Sequence, residues 1–149
     1  MNGVSASTAA TTTRLGRLYV PNGTTASPPF DLLITPESAG WGYCSLRVVT
    51  LSAGESVQFA TESDEMIVLP LSGDAEVSIG DTIFALAGRE SMFTAVTDTA
   101  YLPINSQVRL SSRRGGRIAL PGARGPGPAV QVPTGLAGRR LAAGQWFAH

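Results

Sequence analysis

The reading of this chain turns on Gly54–Ser91, GESVQFATESDEMIVLPLSGDAEVSIGDTIFALAGRES. Four short β-prone runs, Ser56–Ala60, Met66–Leu71, Ala75–Ile79 and Thr82–Ala87, alternate there with glycine-centred turns. Val, Ile and Phe in such short pieces, punctuated by SGD and GD, predict antiparallel hairpins. Neither this stretch nor the rest of the chain carries a sustained 3.6-residue apolar period, so little or no helix is expected.

Working outward, Arg17–Pro21, Phe30–Thr35 and Tyr43–Leu51 read as strands before the central stretch. PNGTTASPP and PESAGWG are the loops between them. After it come Met92–Val96, Tyr101–Ile104, Gln107–Ser111 and Arg117–Leu120. About ten short strands at spacings of about ten residues define an all-β barrel or sandwich. Residues 1–14, rich in Ser, Thr and Ala, are expected to be a disordered terminus, and residues 15–121 to be the barrel domain. Residues 122–149 open Pro/Gly-rich, as a linker does, and end Arg/Ala-rich as the start of a further segment.

Composition bounds the chemistry. With 149 residues, 43% apolar and 15% charged, the chain is an ordinary globular domain with room for a core. Formal net charge is zero, yet all eleven acidic groups lie in residues 1–98 and seven of the eleven arginines in 99–149. That basic half is expected to pair with the acidic half, with a partner domain or with an anionic ligand. SSRRGGR (Ser111–Arg117) lacks interleaved aromatics, so a nucleic-acid partner is not expected. Cys44 is the single cysteine, which excludes an internal disulfide and a cysteine-built metal site. The start carries no secretory signal and no apolar run is long enough for a membrane span, so a cytoplasmic location is expected.

Individual side chains narrow the choice further. The single histidine is His149, so neither a Ser–His–Asp nor a Cys–His set can form within the barrel. Glu62, Asp64 and Glu65 read either as a hard-cation site on a turn or as a solvated acidic hairpin, and the second is favoured; no metal ligand is assigned. Arg89 and Tyr101 are the candidate substrate-binding residues. Arg89 would contact a carboxylate or clamp a facing domain, against the plainer reading of a pair with Glu90 or Asp81. Tyr101 and Trp41 read foremost as core or interface aromatics, and Cys44 as a small buried hydrophobe. Catalytic residues stay unknown.

The glycine frame resembles that of the cupins. Their first motif is a glycine, five residues, His-x-His, a glutamate and a closing glycine. Gly54 and Gly73 fit its ends, while Ala60, Glu62 and Met66 (or Glu65, one position early) fall on the three ligand positions. Gly80, Leu86, Gly88 and Ser91 fall on the second motif, with Ser91 at its histidine. The turn frame is kept and the metal ligands are not.

Four blocks sharpen the match: GWGYCSLRVVTLSAGES (Gly40–Ser56), EMIVLPLSGDAEVSIG (Glu65–Gly80), LAGRESMF (Leu86–Phe93) and DTAYLP (Asp98–Pro103). In this order they resemble the amino-terminal half of the 5-deoxy-glucuronate isomerase family of myo-inositol catabolism, over about residues 15–132. The resemblance implies a cupin-type jelly roll and, in the whole protein, a bicupin that isomerises 5-deoxy-glucuronate to 2-deoxy-5-keto-gluconate. It places the divalent metal only in the second cupin half and none in this chain. The chain is then expected to be a truncated product, a fragment or one half of a split pair, and inactive alone. Expected partners are a small sugar acid and either the second half or further copies in a homo-oligomer. The alternatives are a metal-free cupin with a structural or dimerisation role and an acidic-sugar binder without turnover.

Overall fold

The computed structural model describes residues 19–125 and the backbone of Arg140 and Leu141. Expectations for residues 1–14, for His149 and for most of the 122–149 segment lie outside the described residues. The strands are β1 (Leu32–Ile34), β2 (Cys44–Leu51), β3 (Ser56–Ala60), β4 (Asp64–Ile79), β5 (Thr82–Arg89), β6 (Thr99–Leu102), β7 (Gln107–Ser111), β8 (Gly116–Arg124) and β9 (Arg140–Leu141). Every pairing between them is antiparallel.

One strand organises the sheet. The first half of β4 lies between β8 and β6, and its second half between β7 and β5. Beyond β8 follow β2 and β1; beyond β7 lies β3. Because β4 belongs to both groups, the sheet curls on itself and buries one face of every long strand. Strand alternation supplies the lining: Val49 and Leu51 from β2, Met66, Val68 and Val77 from β4, Leu110 from β7, Ile118 and Leu120 from β8. Each is at most 2% exposed. That interior is apolar and packed.

The SGD triplet inside β4 was expected to be a hairpin turn separating two strands. It is a bend within one strand. The pairing slips between Pro70 and Ser72 on the β8 side and between Gly73 and Ala75 on the β5 side. Bulges of this kind let a strand change direction without leaving the sheet. Gly73 and Gly88 make the bend possible. Both have positive φ, and a Cβ on Gly73 would run into the Gly115 carbonyl, as one on Gly88 would into the Gly73 carbonyl. Three backbones therefore cross where only glycine fits.

Other differences have local causes. Met92–Val96 is a loop and not a strand: Ser91 Oγ accepts from Phe93 N–H, and Thr94 donates to the Ser91 carbonyl, closing a turn. Its apolar side chains point outward, with Phe93 91% exposed and Val96 78%. Tyr19–Pro21 forms no strand. The sixth strand is Thr99–Leu102 and not Tyr101–Ile104, because Pro103 has no N–H and Asn105 takes positive φ in the following turn. The last long strand runs on from Leu120 to Arg124, alongside β2 and the start of β4. PESA, read as part of a loop, is a one-turn helix, α1 (Pro36–Ala39), with a reciprocal Thr35–Ser38 cap and a left-handed Gly40 behind it. Among the described residues no helix is long and apolar enough to cross a membrane.

The crossing gives a direct test. Gly88→Ala should cost roughly 3 kcal/mol, since strain adds to overlap with backbone that cannot yield. Gly54→Ala, with φ +80 but open space around its Cβ, should cost about 1 kcal/mol. Urea unfolding of both variants checks this, and equal losses would show that the close approach is not the constraint.

Candidate functional site

The positions that carry metal ligands in cupins do not converge here. Phe59 packs into the core, so strand alternation turns its neighbour Ala60 away from it. Glu62 sits exposed in a turn with φ 53. Met66 is 1% exposed inside the apolar cluster. Ser91 spends its hydroxyl oxygen on the Phe93 N–H. Among the described residues no group of three or more His, Cys, Asp or Glu side chains could hold a metal ion. Among these positions the donor set therefore does not fit a divalent cation.

A charge cluster lies beside that place instead. Strand alternation in β2 turns Ser45 and Arg47 to the same face as Val49 and Leu51. Arg47 stacks over two aromatic rings, its guanidinium carbon 5.5 Å from the Phe30 centroid and 5.9 Å from that of Phe59. Those rings meet edge to face at 5.7 Å. Arg47 Nη1 donates to the Ala60 carbonyl at 3.2 Å. Burial pulls the Arg47 pKa below its ordinary value, and the charges of Asp64 and Glu62 push it back up.

Asp64 is the anionic centre of this cluster. It was expected to be solvated with Glu62 and Glu65, yet it is 6% exposed. The reason is its position: it begins β4 opposite Arg124 at the end of β8 and faces inward like Met66. Ser45 Oγ donates to Asp64 Oδ2 at 2.7 Å. Asp64 Oδ1 and Arg124 Nε are both buried and 3.7 Å apart, a charge pair too long for a hydrogen bond. Arg124 Nη1 then bonds Glu37 Oε1 on α1. That bond, ahead of contributions from its own backbone and Thr35, holds the Glu37 carboxyl at about 2. The chain Ser45–Asp64–Arg124–Glu37 thus ties β2, β4, β8 and α1 together at one end of the barrel. An arginine in the alternating run YCSLRVVTL, on the face of Val49 and Leu51, was the sequence signal for half of this cluster.

The two expected substrate residues are placed apart in function. Arg89 pairs with neither Glu90 nor Asp81. Its Nε donates to the Pro70 carbonyl at 3.0 Å and its Nη1 to the Ala95 carbonyl at 3.1 Å, bracing the 91–98 loop against β4. The buried Asp98 carboxylate closes the same loop from its far end, accepting from Ala87 N–H at 3.4 Å and Gly88 N–H at 3.5 Å. Tyr101 is half-buried on β6 and donates its hydroxyl to Glu65 Oε2 at 2.8 Å. Burial first, then the Glu65 hydrogen bond and charge, pushes the phenol up to about 12. Tyr101 and Glu65 border a cavity of about 280 Å³ whose walls include Ile67, Pro121 and Ala123.

The remaining candidates are quickly placed. Trp41 is 48% exposed and is not a core aromatic. Cys44 is exposed rather than buried, since its neighbour Ser45 takes the inward position. The basic segment meets the acidic half: Arg113 pairs with Glu76 at 3.3 Å, and Arg114 lies 3.7 Å from Asp74. Asp74 also accepts from the Ser112 hydroxyl and the Arg114 N–H. Burial opposes these bonds, yet together they hold its carboxyl below the usual range.

A curled antiparallel sheet with a double-length central strand and a packed interior defines a cupin-type domain. The family model described as KduI/IolB matches residues 18–134, and the chain belongs to that family. Over 123 residues it is 27% identical to a 5-deoxy-glucuronate isomerase from Geobacillus kaustophilus (strain HTA426), covering 80% of this chain and 45% of that protein. The crystal structure of an IolB-like protein from Salmonella typhimurium LT2 superposes with a TM-score of 0.66 at 25% identity, over 79% of this chain and 43% of the other. Protein Ylba from E. coli is similar in fold, with a TM-score of 0.57 at 17% identity, over 80% of this chain and 48% of the other. The chain spans less than half the length of each.

Asp64→Ala leaves Arg47 and Arg124 without their shared counter-charge and should cost about 2–3 kcal/mol, less than a fully buried pair because Arg124 is partly exposed. Ser45→Ala should cost about 1 kcal/mol, and chemical denaturation that ranks the two the other way round would contradict the assignment. Glu37 has a folded pKa depressed from 4.5 to about 2, so its contribution is complete above pH 4.5 and lost as the pH falls toward 2. Glu37→Gln should therefore flatten the dependence of Tm on pH within that window, while an unchanged acid slope would argue against the Arg124–Glu37 bond.

Proposed function

We propose that this chain is the amino-terminal cupin of a 5-deoxy-glucuronate isomerase, an intramolecular oxidoreductase that interconverts 5-deoxy-glucuronate and 2-deoxy-5-keto-gluconate. The observation that carries the reading is the family match over residues 18–134, supported by the relative that bears this enzyme's name. Aldose–ketose isomerisation moves a proton between adjacent carbons, and needs a base together with a group that stabilises the enediolate. Among the described residues the cupin ligand positions hold alanine, an exposed glutamate, a buried methionine and a serine, which supply no such set. The metal-bearing and proton-moving groups are accordingly assigned to a second cupin half, with this domain as its scaffold. For the acidic substrate, Arg89 is the side chain of choice: two of its donors hold the loop rigid, and its Nη2 remains for a carboxylate. Tyr101 is less suited to a carboxylate, because its proton is committed to Glu65.

A second reading, a metal-free cupin with a structural or dimerisation role, is favoured by one feature. The braced 91–98 loop presents Met92, Phe93 and Val96 outward, an apolar surface suited to covering by another protein surface.

A coupled assay separates the two. The 149-residue chain should not isomerise 5-deoxy-glucuronate with any divalent metal. Adding the remaining, carboxyl-terminal half of the Geobacillus relative should give turnover that Arg89→Ala lowers about tenfold or more. Turnover by the chain alone would refute the scaffold assignment. A stable complex without turnover would favour the structural reading.

A further inference from the structure

The second half of β4 lies in a sheet whose order is β3, β7, β4, β5, and β5 is an outermost strand. Among the described residues β5 pairs with β4 alone, so its other edge carries open backbone groups. Which residues face that edge follows from the ladder. Ile79 and Thr82 close a two-residue turn with Gly80 first, at φ 54, and the closing pair of such a turn is hydrogen-bonded. Bonded pairs recur at every second residue, so Thr82, Phe84 and Leu86 turn their N–H and C=O groups to β4. Ile83, Ala85 and Ala87 turn theirs outward. At Ala87 both are taken: the N–H donates to Asp98 Oδ2 at 3.4 Å, and the carbonyl accepts from Arg114 Nη2 at 3.2 Å. Ile83 and Ala85 are left to a further strand.

This edge lacks the devices that keep edges apart. Thr82–Gly88 contains no lysine, no proline and no charge, and the bulge of β4 at Gly73 and Ala75 falls beyond Leu86. The outward side chains are Ile83, 63% exposed, and the exposed Ala85 and Ala87. Charges of opposite sign stand at the two ends. Asp81 precedes the strand and, among the described residues, pairs with no arginine. Arg114 reaches the Ala87 carbonyl with a side chain that is 68% exposed.

We infer that two copies of this chain join here: β5 pairs antiparallel with β5 of a second copy, about a two-fold axis at Phe84. One register satisfies the groups at the edge. With Phe84 opposite its counterpart, Ile83 exchanges both backbone bonds with Ala85 of the second copy, and the axis repeats the exchange. Asp81 then comes opposite Ala87 of the second copy, where Arg114 sits. An axis at Ala85 would set Ile83 against Ala87, whose N–H and C=O are spent. The half-buried Phe84 also gains a cross-strand aromatic neighbour. This interface does not rest on the isomerase reading, since neither Arg89 nor the 91–98 loop forms any of its pairs.

Sedimentation of the 149-residue chain across the micromolar range should show a monomer–dimer equilibrium. Ile83→Lys should weaken the dimer about tenfold or more, as should Asp81→Arg, which sets like charges together. Both positions are exposed, so the fold of the monomer is kept. Cross-linking reads the register in a Cys44→Ser background, which removes the exposed native thiol. Bonded antiparallel pairs hold their Cα atoms about 5.5 Å apart, within reach of a disulfide. Ile83→Cys mixed with Ala85→Cys should therefore oxidise to a mixed dimer, while neither variant cross-links with itself. A chain that stays monomeric overturns the inference, as does a dimer indifferent to Ile83→Lys and Asp81→Arg, or Ala85→Cys cross-linked to itself. Turnover or its absence leaves the inference standing, and a monomer leaves the isomerase reading standing.

Discussion

Three backbones cross at Gly73, Gly88 and Gly116, closer than any side chain permits, and the rest of the barrel depends on that crossing. There β4 gives up β8 as its neighbour and takes β5 and β7, so one strand serves both halves of the curled sheet. Without the bend, the sixteen residues of β4 would run straight, and the faces carrying Val68 and Val77 could not both turn inward. The glycine spacing that resembles the cupin motifs is therefore a requirement of backbone packing. It persists where the metal ligands do not because the two answer to different physics: one to steric exclusion, the other to coordination.

With the ligand positions released from holding a cation, the barrel fills in two ways. Its centre is apolar, and Met66 occupies a ligand position as an ordinary core residue. Its end beside the first motif is closed by charges internal to the chain. Arg47 lies over Phe30 and Phe59, Asp64 answers it from β4, and Arg124 relays to Glu37 on the surface helix. Such a cluster costs desolvation that the paired charges and the Ser45 hydrogen bond offset. It fixes where the start of β4 and the end of β8 lie against β2.

The same economy of means governs the loop before β6. Arg89 and Asp98 read as functional or solvated charges in a sequence, but both are turned onto backbone groups, Arg89 onto the Pro70 and Ala95 carbonyls and Asp98 onto the Ala87 and Gly88 N–H groups. Their side chains hold the 91–98 loop in place, which is why Phe93 and Val96 stand out as a defined surface rather than folding back on the core. An arginine held at two donors is also an oriented arginine. A bracing role and a substrate role for Arg89 are compatible on that account.

Sequence by itself determined the all-β class, most strand positions and the glycine frame, because period-two alternation and turn chemistry are local properties. It determined equally that no histidine-based site could form inside the barrel and that the four blocks follow one family. Tertiary structure alone decided that SGD is a bend and not a turn, since this depends on what Gly73 must pass, fifteen residues away at Gly88 and farther still at Gly115. It alone decided that Asp64 is buried while Glu62 and Glu65 are not: three acids in four positions look alike in the chain, and only the register against β8 sets one of them opposite Arg124. Tyr101 and Glu65, thirty-six residues apart, come within a hydrogen bond of each other only when β6 lies down beside β4. Local pattern fixes which face a residue takes, and long-range pairing fixes what it finds there.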